Sequence, residues 1–253
     1  MILLSEDECR RGVGIPFEIQ QKLRSGDFAF ISEMGRQIQL EEQVMCTANY
    51  MVNLFFVRRS YLNYERYFVC TAALMLAGKV HNFKKQNKRV YARDYVVVAN
   101  NIWSRRQSTG SGQVSMDDTT KTEHLRKLFK AEYKLLKTLE FDLEIDLPVH
   151  YIREIIEKIY QGVEEPKLQV LASMARVMAN ESMRSIAPLC LPTLAVAVGS
   201  VILGSVMCQL PAPTELINLR QPEWWLEVSD SLQLDDINSA MRLILEAIDP
   251  NSR

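Results

Sequence analysis

Apolar residues along this chain fall into amphipathic stretches and two stretches that are apolar almost all round. Residues 69–80, VCTAALMLAGKV, and residues 193–204, TLAVAVGSVILG, mix large aliphatics with Ala and Gly. Such a helix can be surrounded by others at close range, so the recurrence predicts two helical units, each with a buried helix. Phe28, Ile31, Met34, Ile38 and, loosely, Leu40 mark the apolar face of a helix that Arg24, Ser25, Gly26 and Asp27 would cap. Residues 43–58 give a second helix, and a third runs from about Tyr64 and Glu65 to Val80. Residues 90–103 give a shorter amphipathic helix despite several β-branched side chains. Residues 104–120 have no apolar period and hold the Ser/Gly-rich run, which predicts a mobile loop inside the first domain. Leu125, Leu128, Phe129, Tyr133, Leu136 and Leu139 return to helical spacing over 121–140. FDLEIDLP (141–148) is a junction, and Pro148 suits a helix start, where its missing N–H leaves no gap. Segments 150–160, 167–182, 193–208, a short one near 213–219, and 234–248 predict five further helices.

The composition narrows what such a protein does. Of 253 residues, 47% are hydrophobic and 24% charged, a globular balance for one large or two ordinary domains. The formal net charge of -1 gives no overall electrostatic case for nucleic acid or an anionic membrane, leaving only local patches. Cys9, Cys46, Cys70, Cys190 and Cys208 are far apart and form no CxxC, which predicts reduced thiols in the cytosol or nucleus. With three isolated histidines they complete no convincing zinc site. Glu6, Asp7 and Glu8 stand where an export signal would be basic. The apolar stretch 189–208 contains Pro192 and many small residues, fitting a buried helix better than a membrane span. Glu164 with Glu165, and Asp235 with Asp236, read as helix-start charges rather than acid–base pairs. Gly110 and Gly112 lack the strand-to-helix setting of a phosphate loop. No nucleophile or metal cluster emerges and no cofactor is expected, so the protein is expected to work through its surface.

The ordered motifs resemble the transcription-associated cyclins, nearest to the cyclin T and cyclin K family. They are Met34-Gly35, Asn53 to Phe56, Leu76 to Val80, the AEYKLLKTLEFDL run 131–143, Asn180 to Ser182, Ala195 to Val198, and paired Trp224 and Trp225. AGKV alone is weak; its ordered combination with the 131–143 run and the tryptophans is strong. The resemblance spans roughly residues 20–249. It implies an all-α tandem cyclin-box fold, two five-helix bundles with short flanking segments. The implied division is an N-terminal segment 1–22, a first box 23–145, a second box 146–249 and a tail 250–253. It also implies a noncatalytic nuclear subunit that binds and activates a cyclin-dependent kinase acting on the RNA polymerase II C-terminal domain and elongation factors. Elongation-factor or RNA-linked adaptors are further partners it implies.

By the same resemblance Lys79 and Glu132 meet backbone groups of the kinase beside its regulatory helix. The bland alternative makes Lys79 a helix-end charge whose stem snorkels over the core. Phe83, Tyr91, Phe129 and Tyr133 are candidate kinase contacts, each weighed against inward core packing. Lys84, Lys85, Lys88, Arg89 and Arg93 form a basic patch, read first as a solvated loop and second as a receiver of phosphates from a kinase, a polymerase tail or RNA. Gly78, Trp224 and Trp225 are expected to be structural. His81 and Asn82 depart from the pattern, since family members usually carry two acids there. That departure motivates a second reading as a scaffold that binds without activating a kinase. The basic patch motivates a third, a nucleic-acid-binding general transcription factor of the B type. Against this third reading stand the near-neutral charge and the lack of a zinc ribbon.

Overall fold

The computed structural model of the chain describes residues 3–85, 88–107, 116–211 and 223–249. It divides into two units: Arg10–Ile145, and Met1–Cys9 together with Asp146–Arg253. Helix α1 (Glu6–Arg11) starts in a reciprocal cap, with Ser5 N–H donating to Glu8 Oε2 at 2.8 Å and Glu8 N–H to Ser5 Oγ at 3.2 Å.

The first unit contains α2 (Phe17–Ile38), α3 (Glu42–Arg58), α4 (Arg66–Val80), α5 (Ala92–Gln107) and α6 (Asp118–Thr138). Every residue of α4 from Phe68 to Gly78 is buried, and α2, α3, α5 and α6 all pack on it. The Ala and Gly positions of the 69–80 segment permit that crowding.

Helix α2 corrects the sequence reading. It begins at Phe17 behind Pro16, so Arg24, Ser25, Gly26 and Asp27 are interior residues rather than a cap. The reason is that its polar side chains face inward: Gln20, Arg24 and Asp27 are buried. Asp27 accepts from Arg66 Nε at 2.7 Å and from the Tyr61 hydroxyl at 3.2 Å, while Arg66 Nη2 donates to the Leu23 carbonyl at 2.9 Å. Gly26 sits at that junction, where a Cβ would stand 2.6 Å from Arg66 Nη2. Burial raises the Asp27 carboxyl pKa and Arg66 works against that rise.

The expected loop 104–120 is shorter at both ends. Residues 104–107 finish α5, and Asp117 caps α6 by accepting from Thr120 N–H at 2.9 Å. Arg105 and Arg106 each donate to Glu33 at 3.0 Å, tying the end of α5 to α2. Residues 108–115 lie outside the described residues. Among the described residues one two-stranded antiparallel ladder, Lys84–Lys85 with Lys88–Arg89, interrupts the helices.

In the second unit Pro148 opens a 3-10 turn, followed by α7 (Ile152–Ile159), α8 (Glu165–Ser182), α9 (Ala187–Cys190), α10 (Thr193–Met207) and α11 (Leu234–Ile248). Helix α10 is this unit's counterpart of α4, with Ala195 to Val201 buried. Gly204 of α10 lies so close to α8 that a Cβ there would stand 2.9 Å from the Ala175 nitrogen. The short segment near 213–219 and the tail 250–253 fall outside the described residues. The expected N-terminal segment 1–22 is shared out instead. Residues 17–22 are the first turns of α2, whereas Leu4 N–H donates to the Leu189 carbonyl at 3.0 Å and Glu6 pairs with Arg242 at 2.8 Å.

None of the five cysteines is in a disulfide; Cys9, Cys46 and Cys70 are buried, and burial pushes the Cys46 thiol up to about 12. No helix among the described residues is long and apolar enough to cross a membrane.

Candidate functional site

The buried helix α4 delivers its last polar residue, Lys79, to the surface beside α6. Lys79 Nζ meets Glu132 Oε1 at 2.5 Å. The two ends of the pair differ: the Lys79 side chain is 54% exposed and that of Glu132 only 13%. A carboxylate this far out of water depends on its cation, whereas the half-exposed ammonium keeps donors free for an acceptor from outside.

The helix stops there for a local reason. His81 N–H donates to the Ala77 carbonyl, Asn82 N–H to that of Lys79 and Phe83 N–H to that of Gly78, at 3.0, 3.2 and 2.9 Å. Asn82 takes the left-handed conformation, φ 54°. These are the bonds of a Schellman stop, and Asn is the residue after Gly that best tolerates that φ. His81 turns back to α3, its Nε2 lying 2.8 Å from Thr47 Oγ1. The two residues that depart from the usual acidic pair thus close the helix and fix it to its neighbour.

Past this stop the surface opens into a groove of ≈ 670 Å³, lined by Lys79, Phe83, Lys84, Tyr91 and Phe129 among others. Gly78 forms part of its floor, since a Cβ there would stand 2.7 Å from the Tyr95 hydroxyl. Tyr95 is buried, and that burial, with Asp94 nearby, raises its pKa to about 12. Phe129, Tyr133 and Tyr91 are exposed to 50%, 51% and 56%. Phe83 is half-buried. Inward packing was the competing reading for all four, and the three most exposed contradict it. Helix α6 buries Leu128 and Leu135, leaving Phe129 and Tyr133 one turn apart beside the stripe. Lys137 Nζ lies 4.8 Å from the Tyr133 ring centre and the Arg93 guanidinium 5.5 Å from that of Tyr91.

Of the basic patch, Lys84 lines the groove and Arg93 stands in the first turn of α5. Lys85, Lys88 and Arg89 are placed by the ladder, which pairs Lys84 with Arg89 and Lys85 with Lys88. Trp224 and Trp225 belong elsewhere, to the second unit. Trp224 is buried among Val228, Leu232 and Ile237, and Trp225 meets it edge-on at 6.0 Å. Sequence reasoning missed Tyr95 and the capping role of His81 and Asn82. The lone Asn after an apolar helix was the available signal for the cap. Among the described residues no group of three or more His, Cys, Asp or Glu is arranged to hold a metal ion.

A family model described as the cyclin N-terminal domain matches residues 11–144, a stretch that contains the groove. Similar proteins include Cyclin-T1-5 of Arabidopsis thaliana, 22% identical over 96% of this chain and 40% of that protein. Cyclin pch1 of Schizosaccharomyces pombe is 27% identical over 91% of this chain and 63% of its own length. Human Cyclin-K is 22% identical over 92% and 37%. The chain therefore spans less than two thirds of each of these relatives. A chain of the yeast RNA Pol II CTD kinase CTDK-1 complex has the same fold, with TM-score 0.74 at 16% identity over 99% of this chain and 73% of that one. A chain of the CAK complex from Chaetomium thermophilum gives 0.66 at 12% identity over 92% and 65%.

Proposed function

Since this chain belongs to the cyclin family, as the match over residues 11–144 shows, we propose that it is the noncatalytic regulatory subunit of a cyclin-dependent kinase of transcription. The substrate in this reading is the C-terminal domain of RNA polymerase II, together with elongation factors, and the site of action is the nucleus. The relatives named cyclin T and cyclin K, and the fold shared with a chain of a CTD kinase complex, support that choice.

The observation that carries the reading is the exposed face of α4 to α6, with Phe129, Tyr91 and Lys79 lining the groove and Tyr133 exposed one turn beyond Phe129 on α6. Side chains of this size left in water on one side of a small domain are what an interface core is made from. Chemistry stays with the partner. A kinase is competent when its regulatory helix sits inward and preserves the lysine–glutamate pair that positions the ATP phosphates. A preformed surface that binds this state better than the outward one shifts the equilibrium by its difference in affinity. In this mechanism the aromatics contribute most of the contact energy. The Lys79–Glu132 pair fixes register by offering the ammonium to backbone carbonyls of the kinase. His81 and Asn82, which motivated the scaffold reading, have a sufficient explanation in the helix stop.

The test is capture of partners from nuclear extract on the purified chain, followed by phosphorylation of a polymerase-tail peptide with and without it. A kinase that copurifies and gains activity on the tail peptide supports the proposal. Absence of any kinase, or a copurifying kinase with unchanged activity, refutes it.

A further inference from the structure

A second groove, ≈ 240 Å³ in volume, lies in the first unit between α6 and the residues that lead into α4. Lys127, Lys130, Ala131 and Lys134 line it at helical spacing, one stripe of α6. With Arg126 the lining holds four cations against one carboxylate, Glu65, in a chain whose net charge is -1. The cations fall into two pairs. Lys127 and Arg126 already hold carboxylates of this chain: Lys127 Nζ lies 3.0 Å from Glu65, and Arg126 Nη2 lies 2.8 Å from Glu123. Lys130 and Lys134 are exposed and, among the described residues, have no ion pair. They stand one helical turn apart, about 6 Å, where like charges repel. Carboxylates from outside would turn that repulsion into attraction.

We propose that this groove docks an acidic segment of a second protein. The segment sets two carboxylates, one turn apart, on Lys130 and Lys134, and packs an apolar side chain on the half-buried Tyr64 and Ala131. The volume lies below the about 300–1,000 Å³ of small-molecule pockets, which suits one or two side chains of a protein. Carboxylates are what the same wall already holds at Lys127 and Arg126. A nucleic acid fits less well, because Glu65, 55% exposed, puts a negative charge into the lining. The stripe from Lys127 to Lys134 is also only about 10 Å long at the helical rise, whereas nucleic-acid binders gather affinity from many phosphates. This groove and the one at Tyr91 and Phe129 share no lining residue, so the acidic segment leaves that docking face open.

The experiment selects a phage-displayed library of random peptides on the full chain. The leading peptide and an oligouridylate are then titrated against the chain and its K130E/K134E and K130Q/K134Q variants. Both lysines are exposed, and the glutamine variant removes their charge without adding repulsion, which keeps the test open should charge reversal disturb folding. Support is enrichment of peptides that join two acidic residues one turn apart to an apolar residue, with binding at least about tenfold weaker in the glutamine variant at an unchanged melting temperature. Enriched peptides without acidic residues, undiminished binding to the variants, or tighter binding of the oligouridylate overturns the proposal. So does self-association of the chain that the variants abolish, because the occupant is then a second copy. No kinase enters this assay, so its failure is separate from failure of the partner capture described above.

Discussion

The close approach of α10 to α8 at Gly204 lends itself to a quantitative test. A Cβ built on Gly204 stands 2.9 Å from the Ala175 nitrogen and 3.1 Å from its Cα, so the obstacle is backbone of α8 and no rotamer change removes it. Gly199, on the same helix, is milder: its nearest neighbours are the Ala240 Cβ and Met241 Cγ, both at 3.3 Å. Both substitutions to Ala gain about 1 kcal/mol of helix propensity. At Gly204 that gain is opposed by overpacking that forces α8 and α10 apart, about 2–3 kcal/mol for a displacement that reaches the backbone. G204A is therefore expected to lose about 1–2 kcal/mol, and G199A to be neutral or to gain up to about 1 kcal/mol. Urea unfolding resolves that difference, read by tryptophan fluorescence because Trp224 and Trp225 lie in the same unit. A G204A protein as stable as G199A would refute the close packing of α8 on α10.

Other expectations concern the first unit. Replacing Arg66 by Leu strands the buried Asp27 carboxylate and is expected to cost about 3–5 kcal/mol at neutral pH. The Asp27 pKa is already raised by burial, and removing the cation raises it further. Stability of the variant should therefore be best at low pH and fall as pH rises through the folded-state pKa, so urea midpoints should show a larger deficit at pH 8 than at pH 5. Phe129→Ser and Tyr133→Ser should change chain stability by less than about 0.5 kcal/mol, because both rings are half in water. Each should weaken kinase binding by about 2 kcal/mol, roughly thirtyfold by calorimetry. Lys79→Met should destabilise the free chain more than Glu132→Gln, since the first leaves a largely buried carboxylate without its cation and the second releases a half-exposed lysine to water. The reverse order in thermal melts would contradict the asymmetry of the pair.

How far the sequence was legible depended on where polar residues went. Helices α3, α4, α10 and α11 start and end within two residues of the expected bounds, because their apolar positions are dense and their flanks polar. Residues 17–27 of α2 were lost because Gln20, Arg24 and Asp27 look like surface in a pattern that scores apolar positions, although all three are buried. The ion pair that explains them joins residues 39 apart in sequence, and local periodicity carries no trace of it. The loop was drawn too long for a related reason, since Arg105 and Arg106 are polar but anchored on Glu33. At the groove the residues were named from sequence, yet their exposure was not readable. A helical apolar stripe identifies Leu128, Phe129 and Tyr133 alike, and only packing against α4 decides which of them faces water.

The bond from Glu6 to Arg242 closes 236 residues of chain. On a ribosome the stretch around Leu4 and Glu6 emerges long before Leu189 and α11 exist to receive it, so what is made early is fastened late. Until then Cys9, fully enclosed in the finished protein, stays open to solvent and oxidants. A fragment begun at Asp146 would inherit that vacancy permanently, and adding residues 3–9 in trans should restore part of its lost stability.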